Sequence, residues 1–336
     1  MPIPRPENFT VRPAIMEDVE AATDLFNACS LEQIGRVKFD VADIRREWRN
    51  PTFNLATDTL VMFAPDGKLV GYCEIWESEP YVRIFSWGRV HPEFTNRGIG
   101  AHLLQWAAGR ARQAIPKAPE GARVIMLQDT LSSDAVAQEL LRQQGFTAIR
   151  HFCTMVIEMD GPPPDPVAPE GLVIRPFVRE TELHAVLRAM REAFKDHWGY
   201  VERPFEETLK QWSYWIDNDP DHDPSLWFIA VDGDEIAGMS LCSPKLVEDP
   251  EMAWVNTLGV RRPWRRQGLA LALLHHSFCE FYRRGTRKVG LGVDAHSLTG
   301  ATRLYERAGM HVDRQFTTFE KELRPGEELS TQSLDD

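Results

Sequence analysis

The sequence repeats its own pattern after about 165 residues, and this duplication constrains the fold more than any other feature. FTVRPAIMEDVEAATDLFNA and LVIRPFVRETELHAVLRAMREAF, from Phe9 and Leu172, each predict a short strand, an Arg-Pro step and an amphipathic helix. Both halves continue with a hairpin around Asp-Gly, a strand, a glycine-containing turn and an apolar-striped helix. Each half closes with a further helix and a last strand. The pattern predicts two domains of mixed α/β class.

A proline-rich segment from Asp160 to Gly171, DGPPPDPVAPEG, separates the two halves. Its prolines leave few backbone donors, so neither a helix nor a central strand fits there. We therefore expect an N-terminal domain over 1–160, a linker over 161–171 and a C-terminal domain over 172–324. The last stretch, 325–336, has almost no apolar residues and is predicted to be a disordered tail.

Charge and composition argue against several classes of partner and location. The 336 residues carry a net charge of −12, which argues against nucleic acid or an anionic membrane as the main partner. No apolar run approaches the roughly 20 residues of a membrane helix, and MPIPRPENF lacks the apolar core of a signal peptide. Five scattered cysteines without a CxxC pair indicate free thiols. We expect a cytoplasmic protein, as a monomer or a homodimer.

The segment Leu258 to Ala270, LGVRRPWRRQGLA, lies between a β-rich run and an apolar-striped helix. Backbone N–H groups at the start of that helix have no partner within it, and with the helix dipole they make an anion site. Gly268 removes a side chain, so a phosphate can approach the backbone. Arg265 and Arg266 add positive charge. The turn is therefore predicted to bind a phosphate group.

Arg265-Arg266-Gln267-Gly268-Leu269-Ala270 matches Arg/Gln-x-x-Gly-x-Gly/Ala at every specified position, and here the chain resembles the GNAT acetyltransferase superfamily. The resemblance implies an α+β chain of two tandem GNAT-like domains, each a mostly antiparallel twisted sheet with helices on both faces. It implies acetyl-CoA as the cofactor, with its pyrophosphate on the backbone amides. The two-domain plan is similar to that of mycothiol synthases. The implied cofactor-binding residues are Leu258, Gly259, Val260, Arg265, Arg266, Gln267, Gly268, Leu269, Ala270 and Ser297.

The resemblance extends to TGATRLYERAGM, Thr299 to Met310. In the family, a tyrosine four residues before Gly-Phe or Gly-Met lies near the CoA sulfur, and Tyr305 has this position. A phenol there can donate a proton to the departing thiolate, so Tyr305 is the implied catalytic residue. The alternative is a tyrosine that only packs on the core. Asn often precedes this helix in the family, whereas Ser297 stands here.

The N-terminal half matches the family less well. Thr95-Asn96-Arg97-Gly98-Ile99-Gly100 keeps both glycines but begins with threonine, and Leu141 stands where the second half has Tyr305. A leucine donates no proton, so this half is expected to be degenerate. It is either structural or binds CoA without turnover. The residues of such a second CoA site would be Val90, Arg97, Gly98, Ile99 and Gly100.

The general base is not evident from the sequence. Many family members place a glutamate six residues before the position of Val260, but Trp254 stands there, and Ile84 has the equivalent position in the first half. Glu251, Asp294 and the pair Asp196-His197 are substitutes. The segment with Asp196, His197, Trp198 and Tyr200 follows the first helix of the domain, where the family has its acceptor pocket. The alternative is an aromatic loop that fills the gap between two helices.

No metal site is predicted. DNDPDHDP, from Asp217 to Pro224, alternates acids like a calcium loop, but His222 and Phe228 stand where that loop needs glycine and glutamate. The resemblance favours an acetyl-CoA-dependent N-acetyltransferase, active in the C-terminal half, that modifies a primary amine of a small molecule or peptide. The alternative is a non-catalytic acyl-CoA-binding or regulatory protein, favoured by the missing glutamate.

Overall fold

A computed structural model of the chain describes residues 8–334. The residues divide into two compact units, one containing the chain up to Arg150 with Phe316–Leu329, the other containing His151–Gln315 with the chain from Ser330. The expected linker at 161–171 therefore lies inside the second unit rather than between the two. The units differ from the sequence halves because each half gives its last strand to the other unit. The segment before Asn8, where no signal peptide was expected, and the last two tail residues lie outside the described residues.

The first unit is a mixed sheet with helices. Its strands are β1 (Thr10–Arg12), β2 (Thr59–Phe63), β3 (Leu69–Trp76), β4 (Arg83–Val90) and β5 (Val124–Leu131), and its helices are α1 (Val19–Ile34), α2 (Val41–Trp48), α3 (Leu55–Asp58), α4 (Ile99–Ala111) and α5 (Ala135–Gln143). The next strand, β6 (Thr147–Glu158), belongs mostly to the other unit. The order is β1-β2-β3-β4-β5, and the last strand of the chain then pairs with β5. Only β4 and β5 are parallel.

The second unit repeats this plan. Its elements are β7 (Val173–Pro176), α6 (Arg179–Phe194), α7 (Phe205–Asn218), β8 (Trp227–Asp232), β9 (Glu235–Ser243), β10 (Met252–Val260), α8 (Leu269–Arg283), β11 (Lys288–Asp294), α9 (Ala301–Arg307) and β12 (His311–Arg324), the strand that pairs with β5. The strand order is β6-β11-β10-β9-β8-β7, and only β10 and β11 are parallel. Each unit is thus mostly antiparallel, as predicted.

Helices cover both faces of each sheet. In β9, a Cβ on Gly238 would lie 3.1 Å from Leu273 of α8. The next residue, Met239, packs in the cluster formed with α6, because successive side chains of a strand point to opposite faces. In the first unit Gly71 faces α4, and Tyr72 packs with α1 and α2. The two-faced arrangement predicted from the family resemblance is confirmed.

Glycines at positive φ form the predicted hairpin turns and also end a helix. Gly67 (φ +86°) and Gly233 (φ +56°) form the turns of the β2–β3 and β8–β9 hairpins. Gly285 (φ +93°) follows α8, and Thr286 N–H donates to the Phe281 carbonyl at 2.9 Å. This bond closes the helix in the left-handed manner that favours glycine.

The tail is ordered over residues 325–334, contrary to the prediction of disorder. Glu327 N–H donates to the Gly121 carbonyl at 2.8 Å, and Arg123 N–H donates to the Glu327 carbonyl at 2.8 Å. Further on, Gly199 N–H donates to the Thr331 carbonyl at 2.7 Å, and Thr331 N–H donates to the Tyr200 carbonyl at 2.9 Å. Backbone pairing, which needs no apolar side chains, holds this polar segment.

Helices within residues 8–334 are too short or too polar to cross a membrane. All five cysteines are free thiols. The described residues contain no group of three or more histidine, cysteine, aspartate or glutamate side chains arranged to hold a metal ion.

Candidate active site

The loop between β10 and α8 is open at its backbone. Arg266 and Gly268 have positive φ values of +62° and +89°, which turn the chain sharply into the helix. Over the described residues, the N–H groups of 266–270 have no hydrogen-bond acceptor. A Cβ on Gly268 would meet nothing within 4 Å. The loop therefore presents unpaired donors and open space at the positive end of a 15-residue helix, an arrangement suited to an anion such as pyrophosphate.

Arg265 does not add its charge to this open side. Its Nε donates to the Val260 carbonyl at 2.9 Å, its Nη2 donates to the Ala193 carbonyl at 3.0 Å, and its Nη1 pairs with Asp196. The side chain thus turns inward and fastens the loop to the end of α6. Arg266 is the exposed arginine, and Gln267 donates to the Pro263 carbonyl at 3.3 Å. Of the two arginine side chains predicted to face the phosphate, only that of Arg266 is unpaired among the described residues.

Asp196, predicted at the acceptor, is buried and anchors the loop. Its side chain is 3% exposed and pairs with Arg262 and Arg265. Hydrogen bonds from these guanidinium groups hold the pKa of Asp196 at about 2, although burial opposes this. A carboxylate that two arginines hold in its ionised form is a weak base, which argues against Asp196 as the group that accepts the proton of an amine.

The strands beside the loop diverge. β10 pairs with β11 only from Met252↔Lys288 to Val255↔Leu291. On its other edge it stays paired with β9 as far as Val260, with a register shift between Val255 and Thr257. β11 therefore leaves the edge of β10 unpaired over residues 257–260, which include the predicted Leu258, Gly259 and Val260, although the Val260 carbonyl already accepts a hydrogen bond from Arg265 Nε. Such an edge can receive an extended, amide-bearing chain as an added strand.

Gly259 has a packing role at this edge. A Cβ on Gly259 would lie 3.0 Å from the Phe194 ring, 3.0 Å from the Met239 sulfur and 3.2 Å from the Ala193 Cβ. Only glycine lets α6 approach β10 this closely. The edge of β10 and the loop that follows α6 are thereby held close together.

Tyr305 lies on α9 in the core of the second unit. The residue is 7% exposed and packs with side chains of α8 and β11. Burial raises its pKa to about 12, so the phenol stays protonated at neutral pH. Its hydroxyl makes no hydrogen bond to another described residue. Ser297, predicted at the cofactor, accepts a hydrogen bond from Ala301 N–H at 3.3 Å, at the first residue of α9.

Residues 195–203 between α6 and α7, called the acceptor loop after their predicted role, carry the other predicted residues. The His197 ring packs against Phe194 with centroids 4.3 Å apart. Neighbouring groups shield it from water and, with the charge of Arg265, lower its pKa, while Asp294 opposes this. His197 is therefore neutral at pH 7.

The C-terminal segment holds the acceptor loop. Besides the two backbone bonds to Thr331, the Thr331 hydroxyl donates to the Lys195 carbonyl at 2.9 Å. Trp198 Nε1 donates to Gln332 Oε1 at 3.0 Å. Tyr200 donates its hydroxyl to Glu202 Oε2 at 3.0 Å. Trp198 and Tyr200 are thus fixed within the loop rather than free.

The other two candidate bases lie at opposite ends of the parallel strands. Glu251 is exposed and precedes the first residue of β10, far from the loop that follows Val260. Asp294 is the last residue of β11, and its Oδ1 accepts from His296 N–H at 2.9 Å. Parallel strands end at the same edge of a sheet, so Asp294 lies at the divergence. Trp254 packs across Gly290, where a Cβ would meet its ring at 2.6 Å.

Sequence reasoning missed one contribution to this site. Strand β6 comes from the N-terminal half, yet it pairs with β11 from Phe152↔Asp294 to Glu158↔Lys288. It places His151 beside His296, with ring centroids 5.9 Å apart. No sequence signal identifies this exchange, because both halves end in a similar strand after a similar helix.

The first unit repeats the loop geometry. Asn96 (φ +59°) and Gly98 (φ +78°) correspond to the two left-handed residues of the second loop, and a Cβ on Gly98 would meet nothing within 4 Å. β4 pairs with β5 only from Arg83↔Ile125 to Ser86↔Gln128, so these strands diverge as well before Val90. The Arg97 guanidinium lies 4.7 Å from the centroid of the Phe94 ring, so its charge is held over that ring.

Two further residues of the first loop pack inward. Ile99 is 1% exposed. A Cβ on Gly100 would lie 2.7 Å from Leu140, so this glycine permits close packing on α5. Leu141, in the position of Tyr305, is 1% exposed and wholly apolar.

Known proteins share this architecture. The sequence profile of the Acetyltransferase (GNAT) family matches residues 19–146 and 186–310. A mycothiol acetyltransferase of Streptomyces scabiei is 29% identical over 259 residues, 76% of this chain and 75% of that protein. One of Geodermatophilus obscurus is 30% identical over 252 residues, 73% and 76% of the two chains.

Solved structures agree. A GCN5-related N-acetyltransferase from Sphaerobacter thermophilus has a TM-score of 0.80 and 35% identity, covering 98% of this chain and all of that chain. A tandem GNAT protein from the clavulanic acid biosynthesis pathway has a TM-score of 0.69 at 17% identity, covering 95% of this chain and 100% of that chain, and shares the fold. The family uses acetyl-CoA, and the open loop, the free edge of β10 and the protonated Tyr305 fit it. The chain is a tandem member of the GNAT acetyltransferase family.

Proposed function

We propose that the protein is an acetyl-CoA-dependent N-acetyltransferase whose second unit transfers the acetyl group to a primary amine. One observation carries the proposal: a free strand edge, an open backbone loop and a protonated phenol occur in the same unit, and the first unit lacks the phenol. Bound acetyl-CoA supplies the acetyl thioester. The chain's own residues then bind, orient and move protons.

The backbone N–H groups of residues 266–270 and the Arg266 side chain would hold the pyrophosphate. The free edge of β10 would pair with the pantetheine amides, and N–H groups from Leu258 to Val260 would polarise the thioester carbonyl. Arg265 would act indirectly, because its bonds to Val260 and Asp196 keep the loop in this conformation. Tyr305 would donate its proton to the thiolate as it leaves.

His197 is the proposed base. An amine attacks only when neutral, and a lysine-like amine has a pKa of about 10.4, so a group of the enzyme must accept its proton. His197 is neutral at pH 7 because shielding and Arg265 lower its pKa. Its neighbour Asp294 favours the imidazolium that forms. Asp294 itself is the second candidate for this role.

The acceptor is proposed to be a small-molecule amine. The relatives named mycothiol acetyltransferase point to a mycothiol-related amine. With five free thiols, the protein is proposed to work in the reducing cytoplasm, as a monomer or a homodimer. A non-catalytic CoA-binding role remains the second candidate because Trp254 replaces the family's glutamate.

Release of CoA thiol from acetyl-CoA separates the two functions. We expect release to accelerate with at least one member of a panel containing polyamines, aminoglycosides, amino sugars and basic peptides, and the acetylated amine to be found by mass spectrometry. Tight acetyl-CoA binding with no release above the buffer rate for every amine would favour the non-catalytic role.

A further inference from the structure

Trp254 fills a groove on the α6-facing side of the second-unit sheet. Its neighbours on β10, Ala253 and Val255, pack in the core with α8, so Trp254 points to the opposite face, where α6 lies. A Cβ on Gly290 of β11 would lie 2.6 Å from Cζ3 and 2.8 Å from Cε3 of the indole, and a Cβ on Gly292 would lie 4.0 Å from Cζ2. The six-membered ring of the indole therefore runs along β11 from Gly290 to Gly292.

The groove has a glycine floor and closed borders. Gly290 and Gly292 leave the backbone of β11 bare, and their register partners on β6, Val156 and Thr154, are buried. The sulfur of buried Met252 lies 3.1 Å from the position of a Cβ on Gly290. Because Met252 is the first residue of β10, it closes the end of the groove that lies away from the cofactor loop. We call the space over Gly290 and Gly292, between β10 and β6, the β11 groove.

The β11 groove begins where the two parallel strands separate. Val255↔Leu291 is the last pair between β10 and β11, so Gly292 is the first residue of β11 beyond the paired stretch. A pantetheine chain on the unpaired edge of β10 would reach its inner end at this point. The thioester, which ends that chain, would then lie beside Gly292 and the six-membered ring of Trp254.

The two faces of the sheet offer different room to an acyl group at this point. On the α8-facing side, Leu291 and Val293 are buried with Tyr305 in the core cluster of the second unit. On the α6-facing side, chain neighbours aside, the atom of the described residues within 4 Å of a Cβ on Gly292 is Cζ2 of Trp254. The Trp254 indole thus occupies the place that the third and later carbons of a longer acyl chain would take.

We propose that Trp254 is a specificity-determining residue for the acyl donor, which restricts transfer to the acetyl group by filling the β11 groove. The acetyl methyl group fits at the mouth of the groove, beside Gly292. A hexanoyl chain meets the indole and turns into the space that the attacking amine needs. This inference rests on the proposed function, because it takes the thioester to be held on the edge of β10.

Replacing Trp254 by alanine opens the groove. Four additional C–C bonds span at most about 6 Å, and two residues of β11 provide about 7 Å of floor, so a hexanoyl chain fits between Gly292 and Met252. Burial of one methylene group typically raises affinity about fourfold. Trp254→Ala should therefore turn a chain that gains nothing from the wild-type groove into one that binds there.

Calorimetric titration with acetyl-CoA and hexanoyl-CoA tests the proposal without the acceptor amine. All proteins carry Gly98→Glu, so that the loop of the first unit does not contribute. We expect the parent protein to bind hexanoyl-CoA at most about fourfold more tightly than acetyl-CoA, the effect of one methylene group, and Trp254→Ala to bind it at least about tenfold more tightly. Tyr282→Ala, which removes an aromatic side chain at the far end of α8 in the same unit, should keep the ratio of the parent protein.

The outcomes separate this inference from the proposed function. Acetyl-CoA binding with the same affinity ratio in the parent protein and in folded Trp254→Ala would overturn the inference and leave the proposed function intact. Binding of neither acyl-CoA by the parent protein would overturn both. If Trp254→Ala does not fold, Trp254→Leu, whose side chain is shorter than the indole, should raise the ratio about fourfold, and an unchanged ratio in that variant would overturn the inference.

Discussion

Replacing Asp196 by asparagine tests whether the cofactor loop and the acceptor loop share one electrostatic anchor. The arginines hold the pKa of Asp196 at about 2, against about 3.9 for a free aspartate. This difference corresponds to about 2.5 kcal/mol of stability at neutral pH. Since the Arg262 side chain is 62% exposed, solvent screens part of the interaction, and we expect Asp196→Asn to lower the free energy of unfolding by about 2 kcal/mol.

The pH dependence has a definite sign. The folded state depresses the pKa of Asp196, so its stabilisation is fully present above the unfolded value of about 3.9 and is lost as the pH falls towards about 2. Urea unfolding of the wild type and Asp196→Asn should differ by the same amount at neutral and mildly acidic pH, and the difference should shrink below about pH 4.

A matched control separates this anchor from an ordinary ion pair. Asp217 pairs with Arg179, but their side chains are 53% and 38% exposed, so Asp217→Asn should cost less than about 0.5 kcal/mol. Asp196→Asn should also weaken acetyl-CoA binding by a few-fold, because Arg265 loses one of its three tethers. Equal stability losses in the two variants, or a loss for Asp196→Asn that grows as the pH falls, would refute the reasoning.

Three further predictions concern the loops and the tail. Gly268→Glu should abolish acetyl-CoA binding by the second unit in calorimetry, because the carboxylate would occupy the open side of the loop. Gly98→Glu, at a similar positive φ in the first unit, should leave turnover largely intact, and a loss of kcat in Gly98→Glu as large as in Gly268→Glu would make the first unit the active one. Tyr305→Phe should lower kcat about 100-fold at nearly constant acetyl-CoA affinity; wild-type kcat with chemistry rate-limiting would leave Tyr305 a packing residue only. Truncation after Leu329 should raise KM for the amine because the acceptor loop loses its bonds to the tail, whereas truncation after Gln332 keeps these bonds and should leave KM unchanged. Identical kinetics of the two truncated proteins would show that the tail does not position the loop.

Much of the second-unit loop could be predicted from local sequence. The run from Arg265 to Ala270 specifies a strand-to-helix turn, and its glycine takes the positive φ that L side chains avoid. The hairpins at Gly67 and Gly233, and the end of α8 at Gly285, follow from the same backbone preference. Tyr305 could be placed because it lies four residues before Gly309 on one short helix. All these inferences depend on neighbours along the chain.

Residues distant in sequence decided the rest. Asp196 and Arg265 lie 69 residues apart in sequence, and only the packing of α6 against β10 brings them together. As a result Arg265 of the motif turns inward, and Asp196, a candidate base, anchors the loop. The ordered tail depends on backbone hydrogen bonds to residues 121–123 and 199–200. The polar composition of the tail does not predict these bonds. β6 pairs with β11 and β12 pairs with β5, each in the unit of the other half, because the sheet edge that a strand reaches is determined by the tertiary fold and not by local sequence. The sequence by itself determined the family, the loop and the catalytic tyrosine candidate, since these are local, while the partners of each charge were left to three-dimensional packing.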